Sequence, residues 1–320
     1  MNNIQLKNDI EIIGELEMHP SNDHYATYLD FAHEMRANYT ELSKTAGEPD
    51  QLFSVENFEI ESTQGNGQQI PVRLYTATEN PQGELYPLVL FVHGGGWVSG
   101  TLDTHDVLAR ALSLHLNAIV LSVDYRLAPE VDAVQQNADV KNALLWLYDH
   151  AAQLRGDKTK IIGIGDSAGG ALISVLTADV KNQYIAAQWL MYPVIGLGVS
   201  TESALKYGET HFPTNDAMNV FWASQLPEGY SDQDPRISPL FANIDDLPPT
   251  LISVAGLDPL TSGSEAYAEK LKAQGIESVL KFYEGQEHGF IQFFKDTANH
   301  SLGQQGFDDG IAQLKAWLKL

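Results

Sequence analysis

The sequence contains no cysteine, which excludes disulfides, thiol nucleophiles and cysteine-ligated zinc or iron–sulfur centres. It also lacks any run of ~18 apolar residues of the kind a membrane-spanning helix needs. There is no H-E-x-x-H pair, and Asp103-Thr-His-Asp106 is a poor ligand set beside a helix start, so no metal is expected. Residues Met1 to Ile10 carry neither a basic region nor an apolar core. The expectation is therefore a chain without a secretory signal, located in the cytoplasm. Basic residues are scarce: 19 Lys and Arg face 42 Asp and Glu, a formal charge of −23. A field of that sign repels nucleic acid and anionic membrane surfaces, and neither is an expected partner. The acids are scattered, as at Glu202, Asp216, Glu228, Asp232 and Asp234, which describes a solvated surface. Solubility alone accounts for such a surface. Adaptation to salty surroundings is the sharper reading, because screening weakens self-repulsion. It predicts a melting temperature that rises with salt, and thermal melts in low and high salt check it.

What is present is enough apolar material for a large core, 43% of 320 residues. No internal repeat or low-complexity tract interrupts it. Asp23 to Leu42 places Tyr28, Ala32, Met35, Tyr39 and Leu42 at helical spacing. Phe53 to Glu61 and Gln69 to Tyr75 read as two strands joined by the turn Gln64-Gly-Asn-Gly-Gln68. From Tyr86 onward, short continuous apolar runs alternate with helical patterns. The runs are Pro87–Val92, Ala118–Val123, Lys160–Ile164, Trp189–Val194, Thr250–Val254 and Val279–Tyr283. Helices are expected at Asp106–Leu116, Gln136–Ala151, Ser264–Ala273 and from Ala168. Such an alternation predicts an α/β fold, a mostly parallel eight-stranded sheet with helices on both faces. The long excursion Ile195–Asp245, with a helical piece at Asp216–Gln225, reads as an insertion over the sheet's carboxyl edge.

The chemistry centres on Gly165-Asp-Ser-Ala-Gly169, a G-x-S-x-G turn between a strand ending at Ile164 and a helix. A serine hydroxyl attacks an acyl carbon usefully only if it projects from the backbone beside a base and amide donors. Glycines two positions away on either side permit the strained turn that does this. Gly170 would let the helix pack closely on the sheet. Upstream, the strand ending at Val92 runs into His93-Gly-Gly-Gly-Trp97, where consecutive glycines allow backbone N–H groups to approach a developing oxyanion. Gly94, Gly95, Gly96 and Ala168 are the candidate donors, and His93 is expected to order the loop by hydrogen bonding. In the chain order Ser…Asp/Glu…His, the base follows the last strand. His288 stands in a glycine-containing loop directly after that strand, and His300 in a polar stretch beyond it. Asp258, stiffened by Pro259, is the expected acid, with Glu265 and Glu287 as alternatives.

His93-Gly-Gly-Gly96, Asp124-Tyr-Arg-Leu-Ala-Pro-Glu130, Gly165-Asp-Ser-Ala-Gly-Gly170, Ser238-Pro-Leu240, Asp258-Pro-Leu260 and His288-Gly-Phe290 resemble the motifs of hormone-sensitive-lipase-like carboxylesterases. Gly100-Thr-Leu-Asp-Thr-His-Asp106 is similar to the corresponding stretch of bacterial acetyl esterases. The resemblance runs from about Tyr86 to Phe290, in the family's order. It implies an α/β-hydrolase fold with a helical cap, and cofactor-free hydrolysis of short-acyl esters. Ser167 would be the nucleophile, His288 the base and Asp258 the acid, with Gly95 and Gly96 leading the oxyanion glycines. The implied division is a cap segment at 1–45, core at 46–195, a cap insertion at 196–236 and core again at 237–320. The implied partner is a small-molecule ester, with self-association into a homo-oligomer left open. Trp97, Phe212, Phe221 and Trp222 are candidates for the substrate pocket. Val131-Asp-Ala-Val134 and Thr261-Ser-Gly263 depart from the family's pattern, at positions that bear on packing and not on catalysis. An amidase, a carbamate hydrolase or an acyltransferase would use the same triad. A receptor on a hydrolase fold commonly lacks one triad member, and here all three are present.

Overall fold

A computed structural model describes residues 25–62, 67–79, 83–196, 201–227, 229–231 and 233–320. The expected turn at Gln64–Gln68 and the start of the first cap segment lie largely outside them.

Helix α1 (Tyr25–Ser43) precedes strands β1 (Ser54–Glu61) and β2 (Gln69–Thr76). Then follow β3 (Tyr86–Val92), α2 (Asp106–Leu116), β4 (Ile119–Val123), α3 (Ala133–Asp149), β5 (Gly156–Asp166) and α4 (Ala168–Val180). After β6 (Ala187–Met191) come α5 (Glu202–Tyr207) and α6 (Asn215–Gln225), then β7 (Thr250–Ala255), α7 (Thr261–Ala273), β8 (Ser278–Tyr283) and α8 (Gly303–Leu318). The eight strands form one sheet in the order β1-β2-β4-β3-β5-β6-β7-β8. β2 pairs antiparallel with both β1 and β4, and all pairings from β4 through β3 to β8 are parallel.

The apolar runs are continuous because the central strands are covered twice. Every residue of β3, β4, β6 and β7 is buried. Leu88, Leu90 and Val92 point into the core shared with α3, α4 and α7, whereas Val89 and Phe91 point into the one shared with α2 and α8. At ~2 kcal/mol for each such side chain, β3 is among the hardest segments to displace. The loop that follows it therefore starts from a fixed point. β8 closes the sheet as an edge strand, with Leu280 and Phe282 exposed.

Several boundaries differ from expectation for local reasons. β5 continues two residues past Ile164, because Gly165 and Asp166 still pair with Leu190 and Met191 of β6. α3 begins at Ala133, where Asp132 accepts from Gln135 N and Gln135 returns the bond to Asp132 N, a capping box. The departure at Val131–Val134 thus supplies a helix start. α7 begins at Thr261, whose hydroxyl donates to Ala255 O at 2.5 Å. α5 is a further helix, capped by Thr201.

Two ion pairs fix the segments around the sheet's carboxyl edge. Arg126 pairs through Nε and Nη2 with the two oxygens of the fully buried Asp139. Arg36 of α1 forks onto Glu130 at 2.7 Å for both bonds, and also donates to Val98 O and Ala128 O. Helix α1 is thereby seated on the loop after β3. It also meets α6 through Phe31 and Phe221, whose ring centroids lie 5.4 Å apart. No helix among the described residues is long and apolar enough to cross a membrane.

Candidate active site

Ser167 stands between β5 and α4 with φ +52° and ψ −119°, a conformation a non-glycine residue adopts only when its surroundings over-determine it. They do so here. Ser167 N donates to Met191 O at 2.8 Å, and Ser167 O accepts from Ala171 N at 3.1 Å and Val194 N at 3.2 Å. The flanking glycines are needed for space. A Cβ on Gly165 would lie 2.4 Å from Gly169 O, and one on Gly169 would lie 2.0 Å from Val92 O. Gly170 packs where a Cβ would come within 2.9 Å of Pro193, so the helix does approach the sheet edge closely.

The serine hydroxyl lies 2.8 Å from His288 Nε2, and His288 Nδ1 lies 2.6 Å from Asp258 Oδ2. A carboxylate only accepts, so Nδ1 carries the proton and Nε2 presents its lone pair to the Ser167 hydroxyl. Asp258 is fully buried just past β7, and its Oδ1 accepts from Leu260 N at 2.8 Å. The three side chains thus form an unbroken hydrogen-bonded line contributed by the ends of β5, β7 and β8. The alternatives fall away from it: Glu287 is exposed, and Glu265 lies on α7. His300 is half-buried and stacks on Phe293, with ring centroids 5.6 Å apart; burial lowers its pKa.

The loop after β3 is ordered peptide by peptide. In a trans peptide the C=O and N–H point opposite ways, so whatever holds a carbonyl also aims the next amide. Gly94 O is held by His93 Nδ1 at 2.8 Å, which turns Gly95 N–H away from His93. Gly95 O accepts from Val98 N, Ser99 N and Ser99 Oγ, which turns Gly96 N–H to the other side. Gly95 has φ +118°, and a Cβ there would meet Ser99 O at 2.3 Å, so glycine is obligatory. Among the described residues nothing accepts from the amides of Gly95, Gly96 or Ala168. Gly94 differs: its N–H donates to Asp166 Oδ1 at 2.9 Å. That bond takes Gly94 out of the expected set of oxyanion donors. Its glycine identity serves Asp166 instead, since a Cβ would sit 2.5 Å from Asp166 Oδ2.

His93 itself is fully buried, stacked on Tyr125 at 4.5 Å. Burial, and after it the neighbouring His105, lowers its pKa to about 3, so it orders the loop as a neutral ring. Nearby Asp124 is raised to about 6, chiefly by burial.

A cavity of about 300 Å³ opens at Ser167 and His288. Phe212 and Phe221 line it, as expected, together with Met35, Tyr39, Met218 and Phe293. Trp97 and Trp222 do not. Trp97 is 2% exposed and its carbonyl is occupied by Ala128 N and Gln136 Nε2, so it braces the loop from below. Trp222 is buried in α6 on the side away from the cavity lining. Both are core.

Sequence reading also missed a buried polar chain beneath the cavity. Asp166 Oδ2 lies 3.3 Å from His105 Nε2, which is 3.2 Å from Tyr39 Oη; Tyr39 in turn donates to Gln292 Oε1 at 2.7 Å. Burial alone would raise the Asp166 carboxyl, but His105 and the Gly94 amide hold it below the ordinary carboxylate value. Asp166, inside the elbow itself, and His105, in an unusual polar loop, were the available signals.

The model of the alpha/beta hydrolase fold family matches residues 89–292. The carboxylic ester hydrolase LipN of Mycobacterium tuberculosis is 37% identical over 267 residues, covering 80% of this chain and 69% of that protein. An ethyl acetate hydrolase of Pseudomonas putida is 30% identical over 267 residues, covering 82% and 83%. Among solved structures, the thermostable carboxylesterase EstE1, cloned from a metagenomic library, superposes with a TM-score of 0.83 at 32% identity, covering 91% of this chain and 97% of that one.

Proposed function

Because the chain belongs to the α/β-hydrolase family, in its hormone-sensitive-lipase-like branch, and is a carboxylic ester hydrolase, we propose that Ser167, His288 and Asp258 are its triad and short-chain acyl esters its substrates. The hydrogen-bonded line from Ser167 Oγ through His288 to Asp258 carries this reading. His288 Nε2 takes the hydroxyl proton as Ser167 Oγ bonds to the acyl carbon. The carbonyl oxygen becomes an oxyanion facing the free amides of Gly95, Gly96 and Ala168, neutral donors already aimed before charge develops. Collapse breaks the bond to the alcohol, which leaves with the proton from Nε2. Water then gives a proton to the same nitrogen and attacks the acyl-enzyme; collapse breaks the bond to Ser167 Oγ, which takes the proton back from Nε2 as the acid leaves. Asp258 keeps Nδ1 protonated and balances the imidazolium without taking the proton.

The short-chain preference draws on the cavity's size. About 300 Å³ stands at the small end of ligand sites, ~300–1,000 Å³, and the phenyl rings of Phe212, Phe221 and Phe293 bound it. A relative named for ethyl acetate supports the same class. In this reading α1 and the α5–α6 excursion form one cap, within the proposed segments 1–45 and 196–236.

Hydrolysis of p-nitrophenyl esters from acetate to palmitate, by wild type and Ser167→Ala, tests the proposal. Turnover should be greatest for short acyl chains and drop by about 10⁴- to 10⁶-fold in the variant. Activity surviving in Ser167→Ala would remove the nucleophile from the account. A maximum at long chains would remove the substrate class alone.

A further inference from the structure

Asp166 precedes the nucleophile and is 1% exposed, yet no step above uses it. A carboxylate so placed opposes an oxyanion forming next door, unless its charge is spent elsewhere. Here both oxygens are spent. Oδ1 holds Gly94 N–H and Oδ2 faces His105 Nε2. Because Tyr39 donates its own hydrogen to Gln292 Oε1, its oxygen can only accept from His105. The Nε2 proton is therefore shared between Tyr39 Oη and Asp166 Oδ2. Gln292 is fully engaged too: its N–H donates to Tyr192 Oη at 3.0 Å and its side-chain amide to Thr104 O at 3.3 Å. The chain Tyr39–His105–Asp166–Gly94 thus runs from the helix seated by the Arg36–Glu130 pair, under the cavity, to the residue preceding the Gly95 amide.

We propose that Asp166 is a positioning residue for the oxyanion amides, and that Tyr39, acting through His105, couples the seating of helix α1 to the rate of the chemical step. The inference rests on the triad reading above. Gly94 N–H, in the His93–Gly94 peptide, is held by Asp166, and Gly94 C=O by His93, so releasing the first bond frees the Cα of Gly94 to shift and carry the Gly95 amide with it. The Gly95 amide then leaves the position of the oxyanion. Small displacements of this kind cost up to about 10²-fold. The cavity walls at Phe212, Phe221 and Met218, where the ground-state substrate would rest, stay as they were.

The test compares Asp166→Ala, which leaves Gly94 N–H without its acceptor, Tyr39→Phe and the double variant, using a short p-nitrophenyl ester and two inhibitors. One inhibitor is a trifluoromethyl ketone, which forms a tetrahedral adduct carrying an oxyanion; the other is its methyl ketone counterpart, which does not. In Asp166→Ala, kcat should fall by about 10- to 100-fold with KM within about threefold. Affinity for the trifluoromethyl ketone should fall by the same factor, and affinity for the methyl ketone should hold. Tyr39→Phe, which keeps the ring on the cavity wall, should lower kcat about fivefold, the effect of one hydrogen bond. In the Asp166→Ala background it should cost less than about twofold, since coupled residues are not additive. Independent, multiplying losses would overturn the coupling. Losses confined to KM, or equal for both ketones, would overturn the positioning role. Should Asp166→Ala melt too low to assay, Tyr39→Phe alone decides through the two ketones. Wild type that neither turns over esters nor binds the trifluoromethyl ketone would sink the triad reading and this inference with it, whereas active wild type with silent variants would sink this one alone.

Discussion

Asp258→Asn should lower kcat by about 10⁴-fold while the protein still folds. The size of the loss follows from which oxygen is already committed. Asp258 Oδ1 accepts from Leu260 N at 2.8 Å, and only an oxygen can accept there. An asparagine must therefore keep its oxygen on Leu260 and turn its NH₂ toward His288 Nδ1. A donor at that position forces the proton from Nδ1 to Nε2. Nε2–H then faces the Ser167 hydroxyl, and the imidazole has no lone pair with which to take the serine proton. The ring also loses the negative charge that balances its protonated form. Nothing in this sequence of events alters packing, since the two side chains have the same shape. The check is kcat on a short ester beside a thermal melt: a loss under tenfold with an unchanged melt would mean that His288 does not depend on Asp258 for its tautomer.

The meeting of Ser167, Asp258 and His288, the proposed triad, in one hydrogen-bonded line was legible in the sequence, because each sits at a strand end in the order acyl-transfer chemistry would require. The sheet was legible for a related reason. Strands covered on both faces must be apolar throughout, as β3 and β4 are, and this shows without any knowledge of partners. What did not show depends on residues far apart in the chain. Gly94 looks like its two neighbours, and only Asp166, 72 positions away, diverts its amide. Aromatic type likewise says nothing about direction. Phe221 and Trp222 are adjacent on α6, and the helical turn of about 100° between them puts one on the cavity and the other in the core. Met35 and Tyr39 were visible as one face of α1 but not as a cavity wall, since that needs the Arg36–Glu130 pair to seat the helix. The six residues of α5 span less than two turns, too short for a period to emerge.

Gly169→Ala is expected to lower the melting temperature by about 5 °C and to cut kcat by about 10²-fold. The added methyl would stand 2.0 Å from Val92 O and 2.7 Å from His93 O. Both are backbone atoms, so no rotamer change relieves the contact. Val92 is paired with β4 and β5 in the middle of the sheet, and the first turn of α4 must yield instead. That turn carries the amide of Ala168 and the backbone of Ser167. Overpacking of this kind costs up to ~3 kcal/mol when rigid groups collide, and the distortion falls on both the proposed nucleophile and one wall of the proposed oxyanion site. Gly263→Ala is the matching control. Gly263 lies in α7 with nothing within 4 Å of where a methyl would stand, so alanine there should raise stability by about 0.5–1 kcal/mol and leave kcat alone. The two substitutions add the same atom, and their opposite signs come from what the atom meets. Equal melting shifts for both would mean that the approach of α4 to the end of β3 is looser than 2.0 Å implies. A destabilised but fully active Gly169→Ala would separate the packing of the elbow from its chemistry.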